Sequence, residues 1–488
     1  MKGRRHWFRI AAVVVGLLVP ASVEWVCRFF VEDLPSANGY VEYLGQRPLF
    51  VLDDDEQTYR VAENRRAYFA ADSFPKATTS KTRRIFVLGG STVQGRPFSV
   101  PTSFPTCLEV GLNAAVPEYD WDVVNCGGVS YASYRLLPIL NEVIDYEPAA
   151  IVLCTGHNEF LEFMTYRDAV RAIDTFGESA VGWSNLASVR VLRSWFSSGT
   201  EREVQQSKQI VSKVLPTEVE ALLDQADGWE TYRRDMIDRQ RIQRQFQRNL
   251  RRFVAVCRER KIPLLMVSPV VNLRDCPPFK SEFDSLTSDA DQQQFLKQLG
   301  MAARIAATDF QAAVAMLKEL CAWQPQYALA WYELGRQLLN QGQVQAARDA
   351  FQKACDEDVC PLRMTSSLQF LFREVAADSA VELVDLNQFF EKESQQGLVG
   401  DNILVDHVHP SFTSHRKIGC LLVDHMLELL AISATQLEWR ERAVEKLRTD
   451  FDALDGMYFL RGRRTLDNLD GWARGRAQGT ELNPSADQ

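Results

Sequence analysis

Residues 84–95 read Arg-Ile-Phe-Val-Leu-Gly-Gly-Ser-Thr-Val-Gln-Gly, and the interpretation of the whole chain starts from this stretch. Its apolar part, 85–88, is typical of a buried strand. Gly89 and Gly90 end the strand abruptly, because glycine permits sharp turns and close backbone approach. Ser91 then lies at the tip of a strand-to-helix turn, where its hydroxyl is exposed and backbone amides point at an anion. Taken alone, the stretch is better explained as a simple turn whose serine caps a helix.

The rest of the chain alternates strand and helix patterns. Apolar runs predict strands over 85–88, 121–125, 149–154, 263–267 and 381–386. Helical periodicity predicts helices over 104–116, 132–146, 244–260 and 412–430. Such alternation predicts an α/β fold, with a parallel five-stranded sheet covered by helices on both faces. Sites in these folds lie at the carboxyl ends of the strands, where Gly89-Gly90, Gly127-Gly128 and Thr155-Gly156 fall.

A second motif with catalytic chemistry is Asp406-His407-Val408-His409-Pro410. On a helical turn, side chains three residues apart share a face, so Asp406 can hold one imidazole nitrogen of His409. The other nitrogen is then free to deprotonate a serine, as acyl transfer requires. We expect the remaining histidines to have no such role, and we place His415 and His425 on the surface of the closing helix.

Acyl transfer also needs donors for an oxyanion. Three candidates follow predicted strands: the N–H of Ser91, the N–H of Gly127, and the side-chain amide of Asn158 in Gly-His-Asn-Glu-Phe. Gly128 is an alternative to Gly127, because the register of this motif is ambiguous by one residue. A turn at Gly127 and a helix cap at Asn158 are the simpler structural interpretations. The occurrence of all these motifs in order favours the catalytic one.

Together these motifs resemble the four blocks of the SGNH/GDSL hydrolase superfamily, over about 81–160, 245–275 and 380–432. The nucleophile block is Gly-Gly-Ser-Thr and not Gly-Asp-Ser-Leu, which indicates a subfamily variant. The resemblance implies a flavodoxin-like three-layer α/β/α sandwich, no metal or other cofactor, and esterase or acyltransferase activity. Catalysis would use Ser91, Asp406 and His409, with Ser91, Gly127 and Asn158 forming the oxyanion hole. The exported bacterial members that it resembles often act on acylated carbohydrate, including cell-surface polysaccharide.

Composition excludes several other classes. The chain has 488 residues and a formal net charge of −9, which argues against nucleic acid as a partner. Its 10 cysteines show no zinc-ligand spacing and no dense disulfide framework, although Cys355 and Cys360 are close enough in sequence for one bridge. A metal-dependent hydrolase would need clustered ligands, and Asp406, His407 and His409 are the only candidates.

The N-terminal segment, 1–30, has basic residues before an uncharged run at 10–23. This pattern predicts an uncleaved membrane anchor and an extracytoplasmic body in the bacterial envelope. The alternatives are cleavage near Ala21 and a buried helix of a cytosolic protein. Residues 31–80 are polar and mixed, and we interpret them as a solvated lead-in.

Two insertions interrupt the predicted hydrolase-like domain, 81–290 and 361–435. Residues 160–243 form a cap-like insertion with no assigned chemistry. In 291–360, small and large residues fall at the spacing of a tetratricopeptide helix pair, namely Trp331, Leu334, Gly335, Gly342, Ala347, Phe351 and Ala354. This helical insertion is either a protein-partner surface or an ordinary hairpin. Residues 436–488 are predicted to be a helix to Leu447 and a mobile tail from Gly471.

Two functions therefore compete. The first is a serine ester hydrolase acting on an O-acylated small molecule or carbohydrate, with an O-acyltransferase as its variant. The second is a non-catalytic scaffold whose helical repeats bind a partner. The presence of Ser91, Asn158 and His409 favours the enzyme.

Overall fold

A computed structural model describes residues 48–167 and 231–477, almost all of which belong to one compact unit. Several predictions lie outside these residues: the anchor at 1–30, the first part of the lead-in, most of the cap-like insertion, and the end of the tail. In the described part of the chain, no helix is long and apolar enough to cross a membrane.

The described residues contain short and long strands, numbered here in chain order. They are β1 Phe50–Leu52, β2 Thr58–Val61, β3 Ser73–Pro75, β4 Thr82–Gly89, β5 Asp120–Gly127, β6 Ala150–Cys154, β7 Leu264–Ser268 and β8 Glu382–Asp385.

The α-helices are numbered in the same way. They are α1 Ser91–Gln94, α2 Phe104–Ala115, α3 Ser133–Val143, α4 Glu159–Thr165, α5 Met236–Glu259, α6 Asp289–Ile305, α7 Phe310–Trp323, α8 Ala328–Asn340, α9 Val344–Glu357, α10 Ser366–Asp378, α11 Leu386–Glu393, α12 Phe412–Leu429, α13 Trp439–Asp452 and α14 Gly456–Ala477. Short 3₁₀ turns occupy Glu63–Arg65, Val100–Thr102, Ile144–Tyr146 and Gln395–Gly397.

The central sheet has five strands in the order β5-β4-β6-β7-β8, and every neighbouring pair is parallel. This confirms the predicted parallel five-stranded sheet, and the order is that of flavodoxin-like doubly wound sheets. The register pairs Gly89 with Gly127 on one side and with Cys154 on the other. The ends of β4, β5 and β6 therefore meet at one edge, directly before Ser91.

Helices cover both faces of this sheet, because successive strand residues point to opposite sides. Ile85 and Val87 of β4 belong to a buried cluster with Leu108 of α2 and Ile418 of α12. On the opposite face, α3 contacts β4, α10 contacts β7 and β8, and α5 packs between α3 and α10. The layers are therefore helix, sheet and helix.

Residues 48–80 are not a solvated lead-in, so that prediction was wrong. Strands β1, β2 and β3 form an antiparallel sheet, and the acidic run beginning at Asp53 is the connection between β1 and β2. Phe50 and Phe74 are buried, and Phe74 packs edge-on against Phe86 of β4 with ring centroids 5.4 Å apart. The aromatic residues among the polar ones supply enough apolar area to fold this segment onto the core.

The helical insertion consists of α6–α9, in which each helix contacts the next. Gly335 of α8 faces Phe351 of α9 so closely that a Cβ at Gly335 would lie 2.7 Å from the phenyl ring. Ala347 and Ala354 are buried, whereas Gly342 has a φ of +73° in the turn between α8 and α9. The small residues therefore lie at the points of close helix approach, as the spacing requires. Assignment to the tetratricopeptide class stays a prediction.

The C-terminal region differs from its prediction, because helices α13 and α14 continue to Ala477, beyond both Leu447 and Gly471. Trp439 of α13 is buried near Gly111 of α2, which attaches this region to the core. No disulfide joins Cys355 to Cys360, so the suggested bridge is absent.

Candidate active site

Ser91 is the first residue of α1 and follows the end of β4 through Gly89 and Gly90. A Cβ at Gly89 would lie 2.2 Å from the carbonyl oxygen of Cys154, and one at Gly90 would lie 2.8 Å from Nδ2 of Asn158. Both distances are too short for a side chain, so the glycines are needed for close approach. They bring the neighbouring strand end and the Asn158 amide directly to the serine.

His409 and Asp406 lie on the loop that precedes α12. The imidazole Nε2 of His409 is 2.8 Å from Oγ of Ser91, and its Nδ1 is 2.6 Å from Oδ2 of Asp406. His409 is only 3% exposed. The structure thus brings the three predicted catalytic side chains into one hydrogen-bonded chain, with the separations that nucleophile, base and orienting acid need.

The second oxygen of the Asp406 carboxylate fixes the loop itself. Its Oδ1 accepts hydrogen bonds from the amides of Val408 and His409, at 2.9 and 2.8 Å. Burial opposes ionisation of Asp406, but the neighbouring His409 and His407 and these hydrogen bonds together lower its pKa well below the usual value. An ionised Asp406 selects the His409 tautomer with a proton on Nδ1, which leaves Nε2 to accept the Ser91 proton.

Of the predicted oxyanion donors, Ser91 and Asn158 are well placed. The amide of Ser91 begins a helix and so has no intrahelical acceptor. Nδ2 of Asn158 donates one hydrogen bond to the carbonyl of Tyr131, at 3.1 Å. A side-chain amide has a second N–H, and the closeness of Nδ2 to Gly90 places it beside the Ser91 turn.

The backbone amide of Gly127 was predicted to be an oxyanion donor, but it already has a hydrogen-bond acceptor. This amide donates to Oδ1 of Asn125 at 3.0 Å, and the amide of the alternative, Gly128, donates to the carbonyl of Gly89 at 3.0 Å. The structure gives no support to either amide as an oxyanion donor, because each already has an acceptor. The Gly128 amide joins the end of β5 to the end of β4, whereas the Gly127 amide bonds a side chain of β5 itself.

A different residue of the same turn has a free amide. From Gly127 to Ala132, each amide has an acceptor within the described residues except that of Ser130. Ser130 has a φ of +62°, and the carbonyls of Gly128 and Tyr131 lie within 4 Å of a Cβ built on Gly90. No sequence pattern indicates Ser130 as an oxyanion donor, because an amide without an acceptor is recognised only when the hydrogen bonds of the turn are known.

Two buried glutamates hold the far end of this turn. Glu159 accepts from the amide and hydroxyl of Ser133, at 2.8 and 2.9 Å. Glu162 accepts from the amide of Ala132 at 2.8 Å and pairs with Arg135. Burial raises the pKa of Glu159 to about 7. These contacts tie the turn to α4, which begins directly after Asn158.

The Asp406 loop rests on a buried asparagine that the sequence did not indicate. Nδ2 of Asn272 donates to the carbonyl of Asp406 at 3.0 Å and to Oδ1 of Asp401 at 2.8 Å. Arg363, 2% exposed, donates to the carbonyls of Asn272 and Cys276 at 2.6 and 2.7 Å. Arg363 follows the helical insertion, and its bond to the Asn272 carbonyl links this part of the chain to the residue that holds the Asp406 backbone.

The other histidines near the site are neutral. Burial lowers the pKa of His157 to about 3, helped by His407 and His409. Burial also lowers the pKa of His407 to about 4, although Asp406 opposes this. His425 is half-buried beside Glu382, whereas His415 is 2% exposed, so its predicted surface position was wrong. Its Nδ1 accepts from the amide of Phe104 at 3.1 Å. Nowhere in the described ranges do three His, Cys, Asp or Glu side chains form a group suited to a metal ion.

No protein-family model matches this chain, and no curated protein matches it. Among solved structures, it is similar to LAE5, an α/β-hydrolase enzyme from the metagenome of Lake Arreo in Spain. The identity is 12%, the coverage is 73% of this chain and 97% of that chain, and the TM-score is 0.30. A gut microbial diltiazem-metabolizing enzyme, BT4096, is similar at 10% identity over 71% of this chain and 47% of that chain, with a TM-score of 0.25. Similarities this weak do not indicate a function for this chain.

Proposed function

We propose that this protein is a serine-dependent ester hydrolase that acts through an acyl-enzyme. The observation that carries the proposal is the chain of contacts from Ser91 Oγ to His409 Nε2 at 2.8 Å and from His409 Nδ1 to Asp406 at 2.6 Å. Another histidine that bonds a carboxylate, His425 with Glu382, has no such serine contact. The site at Ser91 is thus the one equipped for nucleophilic catalysis.

In this mechanism Ser91 Oγ attacks the ester carbonyl while His409 takes its proton. Ionised Asp406 stabilises the imidazolium that forms. Collapse of the tetrahedral intermediate breaks the carbon–oxygen bond, and His409 gives its proton to the leaving alcohol. Water, deprotonated by His409, then attacks the acyl-enzyme and releases the acid and free Ser91.

The oxyanion of both tetrahedral intermediates needs donors in a preorganised site. We assign this role to the Ser91 amide and the Asn158 side chain, as the sequence suggested. We replace Gly127 by Ser130 as the third donor, because the amides of Gly127 and Gly128 are engaged. The Ser91 amide accompanies the nucleophile, and Asn158 carries no charge that would need compensation.

The motif resemblance supports the finer parts of the proposal, namely an SGNH/GDSL type of esterase and an O-acylated substrate such as an acylated carbohydrate. We also propose an extracytoplasmic location through the segment 1–30, and a protein partner for the tetratricopeptide-like helices. An O-acyltransferase would use the same residues with a sugar hydroxyl in place of water. The described residues hold nothing that selects one acceptor over the other.

The test is fluorophosphonate labelling and p-nitrophenyl acetate hydrolysis by the full chain. We expect labelling and turnover in the wild type. Both should fall by roughly 10⁴- to 10⁶-fold in Ser91→Ala and His409→Ala, since members of such a unit act together. His425→Ala is the matched control, because it removes a histidine that also touches a carboxylate but no serine, and it should retain full activity.

The outcomes separate the candidate functions. Absence of labelling in a folded wild-type protein would reject the serine enzyme and favour the scaffold. Labelling that persists in Ser91→Ala would locate the nucleophile elsewhere. If the acetyl-enzyme formed from p-nitrophenyl acetate transfers its acetyl group to added sugar alcohols faster than to water, the transferase is the better description.

A further inference from the structure

A cavity of about 260 Å³ lies between the turn before α2, the first turns of α12 and the last turns of α13. Its apolar wall includes Leu447 and Phe451 of α13 and Phe412 of α12. The rings of Phe412 and Phe451 meet edge-on with centroids 5.0 Å apart. The cavity is smaller than the roughly 300–1,000 Å³ typical of pockets for drug-sized ligands, so it suits a small ligand with an apolar part.

Two arginines also line this cavity, Arg416 of α12 and Arg448 of α13. Arg416 is half-buried, and its contact in the described structure is a long one, 3.5 Å to the hydroxyl of Thr413. Arg448 pairs with Glu445 on its own helix, but its side chain is 66% exposed, so that pair is weak. Among the described lining residues none is acidic. Arg416 therefore lies beside an apolar wall with no carboxylate partner among the described residues, although the net charge of the chain is −9.

We propose that this cavity binds a small amphiphilic anion, a carboxylate on a short alkyl chain. The chain would lie against Phe412, Phe451 and Leu447, and the carboxylate would pair with Arg416 and Arg448. A guanidinium suits this role because it presents planar, paired donors that match a carboxylate. The half-buried Arg416 is the principal partner, since pairing is stronger where water is partly excluded.

The cavity is separate from the proposed ester site. Its lining residues include neither Ser91 nor His409, although Phe412 follows Pro410 by two positions. The proposal therefore does not depend on Ser91 being a nucleophile, and its test uses binding and not turnover.

The experiment is isothermal titration calorimetry of the full chain with three probes of the same length: octanoate, octanol and octylammonium. We expect octanoate to bind most tightly, octanol about tenfold more weakly, and octylammonium not measurably. Raising the salt concentration should weaken octanoate and leave octanol unchanged, because screening acts on the ion pair alone.

Variants locate the site. Arg416→Gln should lower octanoate affinity about tenfold, to the level of octanol, and should leave octanol affinity unchanged. Arg448→Gln, at an exposed position where folding is safe, should lower octanoate affinity by about two- to threefold. Arg442→Gln is the control, because Arg442 lies on the same helix outside the cavity and contacts Gln436.

Equal binding of all three probes would overturn the proposal, as would the absence of octanoate binding. An equal effect of Arg442→Gln and Arg448→Gln would also overturn it, since that would indicate nonspecific attraction to the arginines of α13. If Arg416→Gln does not fold, the comparison of Arg448→Gln with Arg442→Gln decides the question alone.

Discussion

At the scale of single residues, the candidate site depends on the position of the Asn158 side chain. Asn158 touches the carbonyl of Tyr131 with one N–H, and its Nδ2 lies next to Gly90. Any side chain at position 90 would occupy the place of this amide. The glycine and the asparagine therefore form a pair: the first makes room, and the second supplies a neutral donor beside Ser91.

Asn158→Ala should lower the kcat for p-nitrophenyl acetate by about 10²- to 10³-fold with little change in KM. A donor that acts on the developing oxyanion stabilises the transition state more than the bound ester. Asn113→Ala is the control, because Asn113 is exposed and bonds only the carbonyl of Glu109 on its own helix. A rise in KM at constant kcat would instead assign Asn158 to substrate binding.

At the scale of elements, the loop after β7 holds the loop that carries Asp406 and His409. It contributes Asn272, whose amide donates to the carbonyl of His407 at 3.1 Å and whose side chain reaches the Asp406 carbonyl. The same loop is held on its other side by Asn387, which accepts from Val271 and donates to Pro269. Both asparagines are buried, but only Asn272 contacts the Asp406 loop.

This difference makes a matched pair of variants. Asn272→Ala and Asn387→Ala should each lower the free energy of unfolding by about 1–3 kcal/mol, because buried polar groups lose their partners. Only Asn272→Ala should also lower kcat, by at least about tenfold, since Asp406 and His409 lose their alignment with Ser91. Urea unfolding and ester hydrolysis measure the two effects.

Equal activity losses in the two variants would contradict this positioning role for Asn272. They would show that activity follows overall stability and not the placement of the Asp406 loop.

The helical insertion offers a test of its own packing. Gly335→Ala should destabilise the protein by about 1–3 kcal/mol, because the new Cβ would lie 2.7 Å from the Phe351 ring and overpack the contact of α8 with α9. Adding Phe351→Leu should recover part of the loss, since a smaller, more adaptable side chain faces the methyl group. Thermal unfolding of the two variants checks this. If the double variant is the less stable one, close approach is not the reason for the glycine.

At the scale of the whole molecule, the site joins residues that are 318 positions apart, Ser91 and His409. The parallel sheet makes this possible, because all its carboxyl ends lie at one edge. Several histidines are buried in neutral form around the same edge. Acid should therefore unfold the protein through these groups.

His415 provides the test of this acid sensitivity. Burial lowers its pKa in the folded protein to about 3, from an ordinary value of 6.5. Its contribution to stability is therefore complete above pH 6.5 and is lost as the pH falls toward 3, because only the unfolded chain takes up the proton. His415→Asn can still accept from the amide of Phe104 but does not titrate. Its stability should fall less steeply between pH 6 and pH 4, by up to about 1.4 kcal/mol per pH unit. Urea unfolding at several pH values measures the slope, and identical slopes would contradict the prediction.

Prediction from the sequence succeeded where a local pattern was sufficient. The apolar runs located all five strands of the parallel sheet, and the glycine pairs located the edge at which Ser91 lies. Prediction failed at residues 48–80, where a mostly polar segment contains a few large aromatic residues. Phe50 and Phe74 are isolated in the sequence, yet they share one aromatic cluster with buried Phe86 and half-buried Tyr146. The polarity of a short segment does not reveal packing between residues that are far apart in the sequence.

The amino-acid sequence by itself determined the α/β class, the order of the strands along the chain, and the candidate residues Ser91, Asn158, Asp406 and His409. Spacing and residue type carry this information, because hydrophobic period, glycine breaks and side-chain chemistry are local properties. Only the tertiary structure decided which backbone amides remain free, which replaced Gly127 by Ser130 as a candidate donor. It also decided that Asn272 and Arg363 support the acid and that arginines line an apolar cavity. These features depend on contacts between residues that are far apart in the sequence. Such contacts form only when the sheet and its helices pack around the site.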